Sequence, residues 1–432
     1  MKAKITPILN SANLSITWYF VTIFAITAGC NDLQRSDSSF GQTADARDHS
    51  FDRGLLVNKE STVSTLLDNS NLASGAESIV LSDITVPQKK PIQKLGTSDS
   101  RPPILAVRLP DHTAFGVPIG LFADQTMLMR SDGSIQRIRN TDIVQQVILN
   151  DRFHSIERNE LAQQLRAEFG KNYLVKSNLP YLIVARSEHM EAWSKRFLSL
   201  FHAFKHYCVT HTIPTREIEF PLVAVVFGSR SEFLRYANAS GTKIPEHCTG
   251  YYFSDSNRIL LYESTDTSTK ETQNTICHEA THQLAFNMGL HQRRASTPLW
   301  LVEGLATMFE SPTLSGLQSR EGKSRWPASR QATWQTLSKR PESVQRMITG
   351  LIHNDLAFES DFQNAYTVAW AMTAYLSQRN SQQFGPYLYS VGNLPPFQDY
   401  QSAKRVADFQ SAFGKDTRLL TNKITKFLES LE

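Results

Sequence analysis

Residues 275–289 read TICHEATHQLAFNMG, and the five residues His278-Glu279-Ala280-Thr281-His282 inside them decide what the C-terminal half of the chain has to build. An α-helix takes 3.6 residues per turn, so two histidines four apart share a face and can offer both imidazoles to one ion. Glu279 lies about 100° around the helix. It is out of line as a third ligand but within reach of a water held by such an ion. A metal acidifies its water, and a carboxylate in that place takes the proton as the water attacks a carbonyl. A helix that simply buries two satisfied histidines explains the same residues, and with 12 His in the chain a chance match is open. A third ligand elsewhere separates the two readings.

That ligand is found in Thr297-Pro298-Leu299-Trp300-Leu301-Val302-Glu303-Gly304-Leu305-Ala306. Thr297 suits an N-cap and Pro298 the first helical position. Glu303 then falls inside an apolar segment, where a carboxylate is costly to bury unless it is paired or metal-bound. The competing reading is a solvent-facing Glu with Thr307 and Glu310 as polar neighbours. Two signals in this order favour His278, His282 and Glu303 as ligands of one zinc ion, with Glu279 as general base.

The surroundings place the motif. Strand-like runs at 173–175 and Tyr181–Ala185, the continuous apolar run 221–227 (PLVAVVF), and runs at Gly250–Phe253 and Arg258–Tyr262 precede it. A run of apolar β-branched residues without alternation is that of a strand buried on both faces. Helices are predicted at 188–207 and 229–239, and from 271 onward at 271–289, 298–310, 341–353, 360–379, 401–413 and 415–430. Strands first and helices after make an α+β domain. Upstream, 127–129 and 135–138 flank Ser131-Asp132-Gly133-Ser134, a hairpin turn signal within a small β module.

HEATH, followed after 20 intervening residues by the Glu of WLVEGLA, resembles the gluzincin branch of zinc metallopeptidases in the peptidase MA clan. It is closer still to exported bacterial proteins of unassigned function with a peptidase-MA-like C-terminal domain. The likeness covers about residues 165–428, with NYLVKSN, PLVAVVFGSRSEF, GYYFSDSNRILLY, HEATHQL and LVEGLATMFE as its motifs. It implies a zincin-like domain and the roles already given to His278, Glu279, His282 and Glu303. It also implies that an extended peptide pairs with the edge of the hairpin at 250–262, through Gly250, Tyr251 and Tyr252. Many gluzincins carry an acidic residue four positions after the Glu ligand, to orient a histidine. Here that position is Thr307, so another residue takes the role or activity is weakened. Such enzymes also stabilise the oxyanion with a Tyr or His from a later helix. Tyr366 is the candidate, and a plain core aromatic is the equal alternative. His291, next to Arg293 and Arg294, reads as surface.

The N-terminus differs from all this. Lys2 and Lys4 precede an uncharged stretch, SITWYFVTIFAITAG, that ends in small residues before Cys30. Its apolar part falls short of the about 20 residues a membrane span needs. It has the form of a signal peptide, and ITAGC resembles a bacterial lipobox with Thr27 where Leu is usual. Lipidation of Cys30 is favoured over ordinary cleavage or an uncleaved anchor. Residues 31–100 are rich in Ser, Asp, Thr and Asn, with Phe40 and Phe51 the only aromatics, a composition that cannot offset its ordering entropy. Removing Cys30 leaves three cysteines, which allows one disulfide at most. Cys208–Cys248 is the expected pair, since Cys277 abuts the motif on a buried helix. A net charge of +4 with 45 basic and 41 acidic residues, and no basic run with interleaved aromatics, argues against nucleic acid as a partner.

The expectation is therefore a signal peptide with lipobox (1–30), a disordered linker (31–100), a small β module (101–158) and a peptidase-MA-like metallopeptidase domain (159–432). The zinc enzyme would be exported, lipid-anchored in the bacterial cell envelope on the periplasmic face, and would act on a polypeptide. A degenerate metal-binding scaffold that recognises polypeptide or envelope material is the alternative. A hydrolase for a non-peptide amide is chemically open.

Overall fold

The computed structural model describes residues 101–241, 244, 248–263, 270–311, 313–316 and 326–430. The export signal, Cys30 and the linker expected over 31–100 lie outside the described residues. Five short strands come first: β1 (Pro103–Arg108), β2 (Thr113–Leu121), β3 (Gln125–Met129), β4 (Ile135–Arg139) and β5 (Gln145–Arg152). They pair antiparallel in the order β4-β3-β2-β1-β5. The β3–β4 turn forms because Gly133 takes φ 79° and Asp132 Oδ1 accepts the Ser134 N–H at 2.9 Å. Leu105, Val107, Ala114, Leu128 and Ile138 make a small core for this sheet.

The second sheet holds β6 (Leu174–Asn178), β7 (Tyr181–Ala185), β8 (Leu222–Phe227), β9 (Gly250–Phe253) and β10 (Arg258–Tyr262), in the order β6-β7-β8-β10-β9. Its central pairs β7–β8 and β8–β10 are parallel, and the outer pairs are antiparallel. Parallel neighbours need long crossovers, supplied by α2 (Met190–Thr210) and by a segment containing α3 (Arg230–Ala239). Alternate residues of β8 enter opposite layers. Leu222, Ala224 and Val226 join the core shared with α2, whereas Val223, Val225 and Phe227 join the one shared with α3 and α1 (Arg158–Phe169). That two-sided burial accounts for the unbroken LVAVVF run.

The remaining helices are α4 (Lys270–Asn287), α5 (Leu299–Phe309), α6 (Ala328–Leu337), α7 (Pro341–His353), α8 (Ala357–Ser360), α9 (Phe362–Arg379), α10 (Ser381–Gly392), α11 (Ser402–Phe413) and α12 (Thr417–Glu429). With two sheets and twelve helices among the described residues, the architecture is α+β. α5 and α9 touch backbone to backbone at Gly304. A Cβ there would stand 2.5 Å from the Ala369 carbonyl oxygen and 2.3 Å from Thr373 Oγ1, so only glycine fits.

Several expectations need correction. Cys208, Cys248 and Cys277 are all free and buried, and the expected Cys208–Cys248 bond is absent. Cys208 belongs to the core on one face of the second sheet and Cys248 to the core on the other, so the sheet stands between them. The α5 helix begins at Leu299, not at Pro298 after a Thr297 cap. Asp355 Oδ1 accepts the Leu299 N–H at 3.0 Å, a tertiary cap that local sequence does not announce. Helices α1, α6, α8 and α10 were not foreseen, and α10 carries Pro386 inside it. No helix among the described residues is long and apolar enough to cross a membrane.

Candidate metal centre

Helix α4 runs against the β9–β10 end of the second sheet and is covered on its other side by α5 and α2. That enclosure buries His278, Glu279 and His282 together. Helix α5 presents Glu303, equally buried. His278, His282 and Glu303 each bring one ligand atom to a common point, all within 4.8 Å of one another. His278 Nε2 lies 3.2 Å from Glu303 Oε2, and His282 Nε2 lies 3.6 Å from the same oxygen. Metal bonds of 2.0–2.2 Å at tetrahedral angles set donor atoms about 3.3 Å apart. The His282–Glu303 separation is too long for a hydrogen bond, and His282 has no hydrogen-bond partner on either ring nitrogen. A buried imidazole in that condition next to a carboxylate fits two ligands of one cation.

His278, Glu303 and Glu279 are perturbed by their neighbours. Burial opposes charge on His278, but hydrogen bonds to Glu303 and Glu310 outweigh it and push its imidazolium up to about 10. Burial also opposes ionisation of Glu303, and there the charge of His282 and the hydrogen bond from His278 win and hold the carboxyl below its ordinary range. Glu279 goes the other way: burial raises it, with the nearby histidines pulling against that.

Glu279 does not join the cluster. Its Oε2 accepts the Tyr252 backbone N–H at 2.7 Å, and its Oε1 is buried with no partner. The contact ties Glu279 to β9, the edge strand of the sheet. Gly250 suits this packing, since a Cβ there would stand 3.0 Å from Thr275 Cγ2 on α4 and 2.2 Å from Leu261 Cδ2 on β10. Of the three residues expected to line the substrate edge, Gly250 and Tyr252 therefore turn backbone toward α4. The Tyr252 ring packs inward, stacked on Phe286 with its hydroxyl donating to Asn257 at 2.9 Å, and Tyr251 packs on the opposite face of the sheet.

Tyr366, on α9, is brought to the site by the close approach at Gly304. Its ring lies 6.3 Å from that of His278 and its hydroxyl hydrogen-bonds Glu303. Burial first, and then the negative Glu303, keep the phenol protonated. At Thr307 the hydroxyl is buried and unpartnered. Glu310 does what a residue at 307 was expected to do, with Oε1 3.0 Å from His278 Nδ1 in a buried contact. Seven residues make nearly two turns, so Glu310 returns to the face of Glu303. That spacing is the signal the sequence held.

His291 is not at the surface. It is 2% exposed, edge-on to Phe286 at 5.5 Å, and neither ring nitrogen has a partner. The neighbouring arginines do not draw it outward because they are spent on inward contacts. Arg293 Nη1 donates to the Gly133 and Ser254 carbonyls at 2.7 and 3.1 Å, and Arg294 pairs with Asp255. Burial, and then the charge of His282, push the His291 imidazole down to about 3, so it is neutral.

A family model described as "Protein of unknown function (DUF1570)" matches residues 272–398, the stretch from α4 into the loop after α10. No curated protein matches the chain. Among solved structures, the ZmpB metallopeptidase from Clostridium perfringens is similar at 10% identity and a TM-score of 0.34, over 78% of this chain and 71% of that one.

Proposed function

We propose that this chain is a zinc-dependent peptidase of the gluzincin kind. His278, His282 and Glu303 hold the ion, and Glu279 is the general base. The observation that carries the proposal is the division of labour within the cluster. Three groups converge on one point, while the fourth, on the same helix, keeps one buried oxygen without a partner. A metal-binding scaffold has no use for such a carboxylate, since burying it is costly. A His2Glu donor set is that of catalytic rather than structural zinc. Zinc there supplies Lewis acidity toward a water and a carbonyl.

The protein's own groups do the rest. Glu279 Oε1 takes a proton from the attacking water and returns it to the leaving amine. The Tyr366 phenol, kept protonated and held on Glu303 in the free protein, would turn from that carboxylate to donate to the oxygen that gains charge at the scissile carbonyl. Among the described residues β9 has no strand on its outer side, so an extended peptide can add to it through main-chain groups other than the Tyr252 N–H, which Glu279 holds. By the sequence of residues 15–30, the same proposal puts the enzyme at the bacterial cell envelope, held by a lipid on Cys30.

Purified protein is expected to bind about one zinc per chain, as a single site of this kind requires. Glu303→Ala and His282→Ala should lose the ion. Glu279→Gln should keep it, while hydrolysis of a proteome-derived peptide library falls roughly 10²- to 10⁴-fold. Full hydrolysis by Glu279→Gln, or insensitivity to a chelator, would sink the proposal.

A further inference from the structure

Helix α6 sends Arg330 into the same region from the opposite side. The residue is 8% exposed, and its Nε is buried with no hydrogen-bond partner. Among the described residues no carboxylate pairs with it. Its one close contact is a ring: Cζ lies 5.5 Å from the centre of Tyr366. The hydroxyl of that tyrosine bonds Glu303, so one aromatic ring links the arginine to the metal-ligand cluster. Among the described residues, the other buried arginine, Arg405, and the half-buried Arg258 both have acids. Arg405 Nη1 and Nη2 reach Asp355 at 3.0 and 2.9 Å, and Arg258 Nη1 reaches Glu168 at 2.7 Å.

A guanidinium with its Nε withdrawn from water and no anion beside it is unfavourable, and a ring face compensates only in part. The planar fork of Arg is matched to a carboxylate, which it grips through two parallel hydrogen bonds. The rest of the site, with Glu279, Glu303 and Glu310, would otherwise repel a negative group. Resting on the peptidase reading, we infer that Arg330, braced on Tyr366, is the carboxylate-binding position of the substrate site, so that the preferred peptides carry a carboxylate beside the scissile bond. The carboxylate is either the C-terminus of a short peptide or an Asp or Glu side chain. Both present the same two oxygens to the fork.

The test is equilibrium binding by calorimetry, which needs no turnover. The zinc-loaded Glu279→Gln full-length chain is titrated with three probes: acetyl-Ala-Ala-Phe as the free acid, the same peptide as its amide, and acetyl-Ala-Ala-Asp amide. At least one acidic probe should bind roughly tenfold or more tighter than the neutral amide, the margin expected of a charge-assisted bidentate contact. Preference for the first acid alone assigns the C-terminus, and preference shared with the Asp amide assigns an acidic residue. Adding Arg330→Met should remove the preference with zinc stoichiometry unchanged. Arg330→Lys, which keeps the charge without the fork and guards against misfolding of the first variant, should retain only part of it. No acid preference in the parent, an undiminished one in both variants, or no binding of any probe overturns the inference. Acid-preferring binding in a protein whose wild-type form cleaves none of these peptides would count against hydrolysis alone. Cleavage without acid preference would count against Arg330 alone.

Discussion

Arg405 and Arg330 are buried to nearly the same degree, 6% and 8% exposed, on helices of the same C-terminal half. Both terminal nitrogens of Arg405 meet Asp355, and Nη2 also donates to the Leu351 carbonyl at 3.0 Å, so only its Nε shares the unpartnered state of the Arg330 Nε. Asp355 in turn caps α5, the helix of Glu303. Arg330 has a ring and no acid. The two histidines nearest the cluster repeat the contrast. His278 has a carboxylate at each nitrogen, and His291 has nothing at either. Where a buried polar group is satisfied, it fixes the positions of helices and ligands. Where one is left unsatisfied, the fold carries a cost that packing does not explain, and Glu279, His282, His291 and Arg330 are among the groups that carry it.

The largest effect should come from breaking the satisfied arginine. Arg405→Met strips Asp355 of its counter-charge and loosens the cap on α5. A fully buried pair broken this way loses about 3–5 kcal/mol, and because Asp355 keeps some solvent contact the expected loss is about 2–3 kcal/mol. Arg330→Met breaks no ion pair and gives up a cation–π contact while relieving an unpaired charge. Its net effect should stay within about 1 kcal/mol. Urea denaturation of the metal-free proteins measures both. An Arg330→Met loss as large as that of Arg405→Met would erase the distinction and make Arg330 a structural residue.

Next in size is the outer support of the ligands. Glu310→Gln keeps an acceptor near His278 Nδ1 but removes the charge, and zinc affinity should fall about tenfold or somewhat more in competition with a chelator. Thr307→Val, at the position where an acid was expected, should leave affinity unchanged because its hydroxyl holds nothing. Equal losses at the two positions would mean that general packing, not the His278–Glu310 contact, orients the ligand.

What the sequence disclosed and what it hid follow from range. His278, Glu279 and His282 are legible because four-residue spacing on a helix is a local rule, and Glu303 because a carboxylate between Leu301-Val302 and Gly304-Leu305 conflicts with its neighbours. The strand β8 is legible because burial on both faces leaves no polar alternation. Glu310 is legible by the same helical arithmetic, since the position seven after Glu303 shares its face as the position four after it does. Arg330 was out of reach. Its helix, ASRQATWQTL, has little apolar periodicity, and the residue matters through a contact with Tyr366, 36 positions away. His291 misled because charged neighbours normally signal solvent, and here Arg293 and Arg294 are turned inward onto carbonyls and Asp255. The cysteine guess failed because sequence separation says nothing about which side of a sheet a residue occupies.

The smallest effect at neutral pH concerns His291, and it has a sign that runs against ordinary core substitution. Replacing a buried, close-packed side chain usually destabilises, but His291 has two unpaired nitrogens, each with a desolvation cost. Leu is close to it in size and has no polar atoms, so His291→Leu should stabilise the metal-free protein by about 0.5–1 kcal/mol at pH 7. The pH dependence follows from the imidazole being pushed from 6.5 down to about 3. A group depressed in the folded state contributes stability that is present above its unfolded value and lost as pH falls toward its folded one. The wild type therefore loses stability between pH 6.5 and 3 by up to about 1.4 kcal/mol per unit, and the leucine variant lacks this component. Its advantage in denaturation midpoint should widen on going from pH 7 to pH 5, with zinc stoichiometry at pH 7 unaltered. If zinc binding fell instead, His291 would belong with His278 among the groups that serve the ion, and the unsatisfied side of the comparison would shrink to Arg330 and Glu279.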